Sequence, residues 1–421
     1  MTAAPALAPT VALEVAERIG YGIARRALWG GDRCTWLDAI PVMPGQNPAT
    51  STTSGAEPYS GTSGIGLFLA QLAARVDDPL LKKTALGALR HAIARTDDQT
   101  SLPLGFYSGP AGTGAALVLA GRELGDDALL HAGHALLARV ELTSEYAEAT
   151  DVINGAAGTV LALAVAADAL DGDDALLARA RTAAEQLLAR GMRDARGTLS
   201  WSTMRDKRAN LTGFAHGAAG IAHALLALHA VAPDPVLHEA AAAAFAYEGS
   251  TFDSARANWP DFRVMPGEPP GPLGYGVAWC HGAVGIVRSR LFAEHAGGFA
   301  VADEIEAGLG TSAAQVETWY RDPNADFTLC HGVFGMLDAL LEGVRSGRTV
   351  YAPILERVVG DATTRFHDGE APWPSGLMSR EQIDGLLLGT AGIGHVYLRL
   401  ADPSLPSLLA PAPRDAGPTR F

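Results

Sequence analysis

One short turn returns seven times along this chain, and it limits the fold more than anything else in the sequence. Each copy is Gly-x-x-Gly followed by an apolar run rich in Ala and Leu: YSGTSGIGLFLAQL, YSGPAGTGAALVLA, DVINGAAGTVLALA, FAHGAAGIAHALLAL, WCHGAVGIVRSRLF, LCHGVFGMLDALL and LLLGTAGIGHVYLRL. The first glycines are Gly61, Gly109, Gly155, Gly217, Gly282, Gly332 and Gly389, spaced 48, 46, 62, 65, 50 and 57 residues apart. A recurring period of that length holds two helices and two loops, the mark of a repeat-built fold. The run after each turn is apolar on nearly all sides and predicts a buried inner helix. Between the runs, stretches such as LLKKTALGALRHAIART and ALLARARTAAEQLLARG space Leu and Ala regularly among Lys, Arg and Glu. These predict outer helices with one wet face.

The fold class that follows is all-α: an α/α toroid of seven inner and seven outer helices, its glycine turns gathered at one end. The whole chain, 1–421, reads as one α/α-barrel domain. Residues 1–12 and the Pro-rich stretch 403–421 read as loosely held termini. Residues 248–278, with NWPDFRVMPGEPPGPLGYG, are too rich in Pro and Gly for a helix and predict a loop over the barrel end.

If the turns gather at one end, the residues just before their first glycines converge there. In copy order these are Ser60, Ser108, Asn154, His216, His281, His331 and Leu388. Three successive copies carry His, and two of those have Cys immediately before it, as Trp279-Cys280-His281-Gly282 and Leu329-Cys330-His331-Gly332. The chain has only three cysteines. Two soft sulfur donors with adjacent imidazoles in matching contexts are what a zinc site uses. Three readings stand at this point: an open three-ligand site, a closed Cys2His2 site that also uses His281, and two buried cysteines with no metal.

The other polar residues have plainer readings. Cys34 reads as a small buried residue. His223, His229 and His395 fall inside apolar helices and read as packing. Ser60 and Ser108 read as helix-start caps. Tyr59 and Tyr107 repeat in register and either line the cavity or pack the core. Asp151 either orients His216 or caps a helix.

Composition excludes several classes. Apolar residues make up 48% of the 421 residues, enough for a large core, and the formal net charge is −14. An acidic surface without a basic run argues against nucleic acid or anionic membrane as partner. No apolar run reaches the roughly 18 residues of a membrane span. Met1-Thr2-Ala3-Ala4-Pro5 lacks the basic region of a signal peptide. Three scattered cysteines make no disulfide framework, and the expected location is the reducing cytoplasm.

The motifs DVINGAAG at Asp151, HGAAGI at His216, WCHGAVGI at Trp279 and LCHGVFG at Leu329 resemble those of the lanthionine synthetase C-like family, the cyclases of lanthipeptide biosynthesis. NWPDFR and the early CTWLDA segment are similar to stretches in the cyclase part of the larger bifunctional synthetases. The resemblance covers nearly the whole chain. It implies an α/α barrel with one central zinc, Zn2+, and carries over Cys280, Cys330 and His331 as its ligands. The implied reaction is intramolecular addition of peptide cysteine thiols to dehydroalanine or dehydrobutyrine, giving lanthionine and methyllanthionine rings. His216 is the expected proton-transfer residue and Asp151 matches a family acid. Many free-standing cyclases have Tyr where this chain has His281, and His there is similar to the bifunctional synthetases. With no room for a dehydratase beside such a barrel, the expected partners are a dehydrated precursor peptide and a separate dehydratase.

Two other function classes compete. A prenyltransferase-like or terpenoid-cyclase-like toroid would share the helices. It would want acidic clusters and aromatic walls, however, and aromatics are 7% here with no DDxxD-like run. A relative that adds glutathione to dehydro residues, or a noncatalytic peptide-binding relative, would share the motifs.

Overall fold

The computed structural model describes residues 7–39, 51–97, 104–142, 149–264, 271–369, 371–375 and 382–414. Among these, fourteen α-helices make two concentric rings. The inner ring is α2 (Thr62–Val76), α4 (Pro110–Leu124), α6 (Ala156–Ala169), α8 (Ala218–Val231), α10 (Ala283–Gly297), α12 (Val333–Arg345) and α14 (Thr390–Ala401). Each packs on the next, and α14 packs back on α2, so the ring is closed.

The outer helices are α3 (Pro79–Asp97), α5 (Asp127–Arg139), α7 (Asp174–Ala189), α9 (Pro235–Gly249), α11 (Ala302–Trp319) and α13 (Ala352–Ala362). Five of these pack chiefly on the inner helix just before them, and α13 packs on α12. The seventh outer helix is α1 (Pro9–Arg26), which packs against α14 from the other end of the sequence. Residues 9–12, expected to be loose, are therefore helical, and Ala12 is buried. Among the described residues, strand is confined to three small antiparallel ladders: β1 (Leu28–Gly30) with β2 (Arg33–Thr35), β3 (Leu37–Ala39) with β4 (Ser51–Thr53), and β5 (Met192–Arg193) with β6 (Leu199–Ser200). Cys34 on β2 is buried and directs its thiol to the Thr84 carbonyl, in keeping with a packing role. No described helix is long and apolar enough to cross a membrane.

The repeated turn has a physical explanation. All seven first glycines are helix N-caps. The second glycine, three residues on, lies against the carbonyl of the residue six positions earlier: Gly64 on Pro58, Gly112 on Phe106, Gly285 on Trp279, and so on through all seven copies. A Cβ at any of them would overlap that oxygen. The turn thus folds back onto its own helix, and its main chain supplies the acceptors that an N-terminus lacks. The N–H groups of Thr62, Ala156, Ala218, Val333 and Thr390 each donate to the carbonyl seven residues back. Three outer helices use Asp side chains instead. Asp126, Asp173 and Asp234 cap α5, α7 and α9. Ser60 and Ser108, expected as caps, do not cap. Ser60 donates to Glu57, and Ser108 bonds to Ile153 and Asn154.

Main-chain bonds also join neighbouring turns at the mouth. They run Tyr59 N to Tyr107 O, Phe106 N to Val152 O, Val152 N to Ala215 O, Trp279 N to Cys330 O, Cys330 N to Leu387 O and Leu387 N to Tyr59 O, at 2.8–3.2 Å. Between the fourth and fifth turns, Gly213 at φ 101° lies against the Cys280 carbonyl, a conformation only glycine holds without strain.

The two longest periods carry extra chain at this end. Segments 206–208 and 262–264 pair there, with Lys207 opposite Arg263, and Trp259 is buried beneath with Ala219 and Ile286. The loop expected over residues 248–278 is present as far as the structure describes it; 265–270 lie outside the described residues.

The far end corrects the sequence reading. Residues 403–414 do not hang loose. Leu405, Leu408, Leu409 and Ala410 are buried, and Ser407 donates to Asp338 inside the barrel. Composition marks Pro-rich chain as irregular, but irregular chain also carries unspent carbonyls, and the barrel floor has buried donors that need them. Residues 415–421 and 1–6 lie outside the described residues. A cavity of about 410 Å³ remains between this tail and the ends of α2, α4 and α6, remote from the sulfur pair at the mouth.

Candidate metal centre

Cys280 and Cys330 come from adjacent turns, close enough that each thiol shifts the ionisation of the other. The ring of main-chain bonds explains the meeting, since Trp279 N–H donates to the Cys330 carbonyl at 3.0 Å. Of the two thiols, Cys280 is the one shifted toward the thiolate. Its interaction with the Cys330 thiol favours the charged form most, and the charges of Arg263 and His216 assist. Cys330 is pushed the other way, by that same interaction, by burial and by the Cys280 charge.

Tyr59 donates its hydroxyl to the Cys330 sulfur at 3.0 Å. Burial and the neighbouring sulfur push the Tyr59 phenol upward, so it stays a donor. Of the two readings the sequence left open for Tyr59, the hydrogen bond favours lining the site. Tyr107 instead packs in the core, with its hydroxyl on the Leu408 carbonyl.

His331 follows Cys330 directly. Its Nε2 lies 3.8 Å from the Asp326 carboxylate, and its Nδ1 is buried without any hydrogen-bond partner. Asp326 is held in turn by the Thr328 N–H and hydroxyl, both at 2.6 Å. At 3.8 Å the carboxylate is an electrostatic neighbour of one imidazole nitrogen and not its hydrogen-bond partner, and the other nitrogen is unclaimed. Sequence reasoning missed Asp326. Its signal is position, since its carbonyl caps α12 through Val333 N–H.

Among the described residues no group of three or more His, Cys, Asp or Glu side chains is already assembled to hold a metal. The donors nonetheless fit zinc. Two thiols from adjacent turns face each other closely enough to couple their ionisation, and the residue next to one of them carries an orphaned imidazole nitrogen.

The fourth turn adds a second cluster. His216 Nδ1 and Asp151 Oδ2 are 2.6 Å apart. The other Asp151 oxygen accepts the Asn154 N–H at 2.6 Å inside the turn, while the N-cap of α6 is Gly155 and not Asp151. Glu248 secures the His216 turn from behind. Buried against Arg290 at 2.9 Å, it accepts the Gly213 and Ala219 N–H groups.

His281 is buried and stacks on His216, ring centres 5.7 Å apart and planes 26° apart. Burial, then the Arg263 charge, push it down to about 3, so it is neutral near pH 7. His223, His229 and His395 are inside helices as expected; His223 donates to the Pro411 carbonyl at the barrel floor.

The cluster at the mouth therefore combines soft donors and a carboxylate-backed imidazole. The sequence matches the family described as lanthionine synthetase C-like protein over residues 55–410. Among solved structures it is similar to nisin cyclase, with 16% identity and a TM-score of 0.60, covering 83% of this chain and 92% of that one. A possible member of the GH105 family from Salmonella enterica serovar Paratyphi A also matches, with 12% identity and a TM-score of 0.37, covering 94% of each chain. No curated protein matches the sequence.

Proposed function

The chain belongs to the lanthionine synthetase C-like family, and on that premise we propose that it closes thioether rings in a peptide by adding cysteine thiols to dehydroalanine or dehydrobutyrine. The carrying observation is the bonding of the Cys280 and Cys330 turns through Trp279 N–H and the Cys330 carbonyl, in a mouth that also holds the His216–Asp151 pair. Cys280, Cys330 and His331 would hold zinc, leaving a position for a third, substrate sulfur. Bound there, zinc supplies the chemistry that converts a thiol, ordinarily near pKa 8.5, into thiolate at neutral pH.

The protein's own residues do the rest. Addition forms a carbon–sulfur bond at the β carbon and moves the π electron pair to the α carbon, which must take a proton. His216 delivers it, with Asp151 fixing the ring at 2.6 Å. Neutral His281, stacked on His216, limits how far the His216 ring can tilt. Asp326 orients His331, and Tyr59 spreads charge from the Cys330 sulfur. Dehydration of the precursor falls to a separate enzyme, and the reaction takes place in the cytoplasm.

The test is incubation with a dehydrated, cysteine-containing peptide, with and without glutathione. Ring closure leaves the mass unchanged and removes one alkylatable thiol per ring. An adduct heavier by one glutathione would instead make this chain an intermolecular thiol-adding enzyme. No reaction in either arm would point to a peptide-binding relative.

A further inference from the structure

Three buried side chains donate to the main chain of the C-terminal segment. Tyr107 Oη meets the Leu408 carbonyl at 2.8 Å, Trp279 Nε1 meets Leu409 at 2.7 Å, and His223 Nε2 meets Pro411 at 2.8 Å. Two of these contacts continue to the sulfur pair. Trp279 precedes Cys280, and its N–H donates to the Cys330 carbonyl, so its anchor acts on both cysteine turns. Tyr107 stands edge-on to Trp279 with ring centres 4.9 Å apart. Its own carbonyl accepts the Tyr59 N–H at 2.9 Å, and the Tyr59 hydroxyl reaches the Cys330 sulfur. The tail is thus connected to Cys330 by two separate routes and to Cys280 by one.

We propose that residues 405–411 are a positioning element of the metal centre, holding the Cys280 and Cys330 turns in register through Trp279 and Tyr107. This rests on the reading of Cys280 and Cys330 as metal ligands. The physical reason is that both ring donors are fully buried and take their acceptors from the tail. A buried indole N–H or phenol O–H must be satisfied, so the rings follow the tail's carbonyls. The tail is irregular chain, so its register is set by these bonds and by burial of Leu405, Leu408 and Leu409 rather than by a helix of its own.

The test measures zinc affinity by chelator competition and the visible spectrum of the cobalt(II)-substituted protein. The proteins are the full chain, Trp279→Phe, Tyr107→Phe, and Val358→Ala as a buried control on α13, away from the path. Each ring variant should weaken zinc by about 10- to 100-fold, the range for residues behind metal ligands, and change the cobalt bands. Val358→Ala should lower the melting temperature and leave zinc affinity alone. A chain ending at Pro403 should bind zinc weakly and recover when a synthetic peptide of residues 404–414 is added. If that chain does not fold, the point variants decide. Parent-like zinc affinity and cobalt spectrum in both ring variants would overturn the proposal. A full chain that binds no zinc would overturn the reading of the centre itself, and this inference with it.

Discussion

His216 and Asp151 meet at 2.6 Å across 65 residues of chain, Nδ1 to Oδ2, with the carboxylate's other oxygen tied to the Asn154 N–H. The carboxylate cannot swing without breaking its own turn. It holds the hydrogen on Nδ1 and leaves Nε2 as the nitrogen for proton exchange. His216→Ala should cut ring closure by roughly 100-fold or more, the usual scale for a general acid or base. Zinc content and melting temperature should stay near the parent's. Asp151→Asn should lose less activity, because the amide oxygen can still cap the turn while the charge is gone. Parent-like rates of thiol loss in His216→Ala would make His216 structural and shift the search for a proton donor to His281.

A turn glycine and a helix glycine give stability predictions of opposite sign. Gly285→Ala puts a methyl into the Trp279 carbonyl, which is main chain and cannot step aside. It should destabilise by about 2–3 kcal/mol or more, as overpacking does, and disturb the cysteine turn beside it. Gly360 lies inside α13 with nothing within 4 Å of an added Cβ. Gly360→Ala should stabilise by about 0.5–1 kcal/mol through helix propensity alone. Denaturant melts of the two variants check both signs.

The turns were readable because each glycine is forced by a local overlap, repeated seven times in the same place. That register also carried the site, since it put His216, His281 and the Cys330–His331 pair at equivalent positions. What was not readable depends on contacts between distant copies. Tyr59 of the first turn reaches Cys330 of the sixth, and no spacing encodes that. The pairing of α1 with α14 joins the two ends of the chain, whereas the repeat pattern speaks only of neighbours. The tail was misjudged because Pro-rich composition describes its own flexibility. Its order comes from donors on Tyr107, Trp279 and His223, more than 100 residues away in each case.

The His223 contact with Pro411 predicts an acid-sensitive barrel floor. His223 is fully buried, its Nε2–H is used by Pro411, and its Nδ1 has no partner to accept a second proton's hydrogen bond. Burial lowers its pKa from 6.5 to about 4. The folded pKa lies below the unfolded one, so the unfolded chain binds more protons between about pH 4 and 6.5. Stability from this residue is intact above that window and falls as pH drops through it, at up to about 1.4 kcal/mol per pH unit. Denaturant midpoints from pH 7 to 4.5 should show the decline, and His223→Phe should flatten it. An unchanged slope in the variant would mean that other buried groups, such as His395, dominate.

The ligand assignment is tested by four single variants and one comparison among them. Cys280→Ala, Cys330→Ala and His331→Ala each remove a donor from the sulfur pair or the imidazole beside it, and each should lose most bound zinc and nearly all ring closure. His281→Phe should keep its zinc. The His281 ring stacks on His216 instead of being orphaned as His331 Nδ1 is, and joining a four-ligand set would require it to leave that stack. A phenyl ring can keep the stacking but cannot bind metal, so the variant separates the two roles cleanly. Slower turnover with full zinc would mean that His281 serves His216. The measurement is zinc per chain by elemental analysis, taken together with the rate of thiol loss on a dehydrated peptide. Zinc loss in His281→Phe as severe as in His331→Ala would replace the open three-ligand centre with a closed one of four.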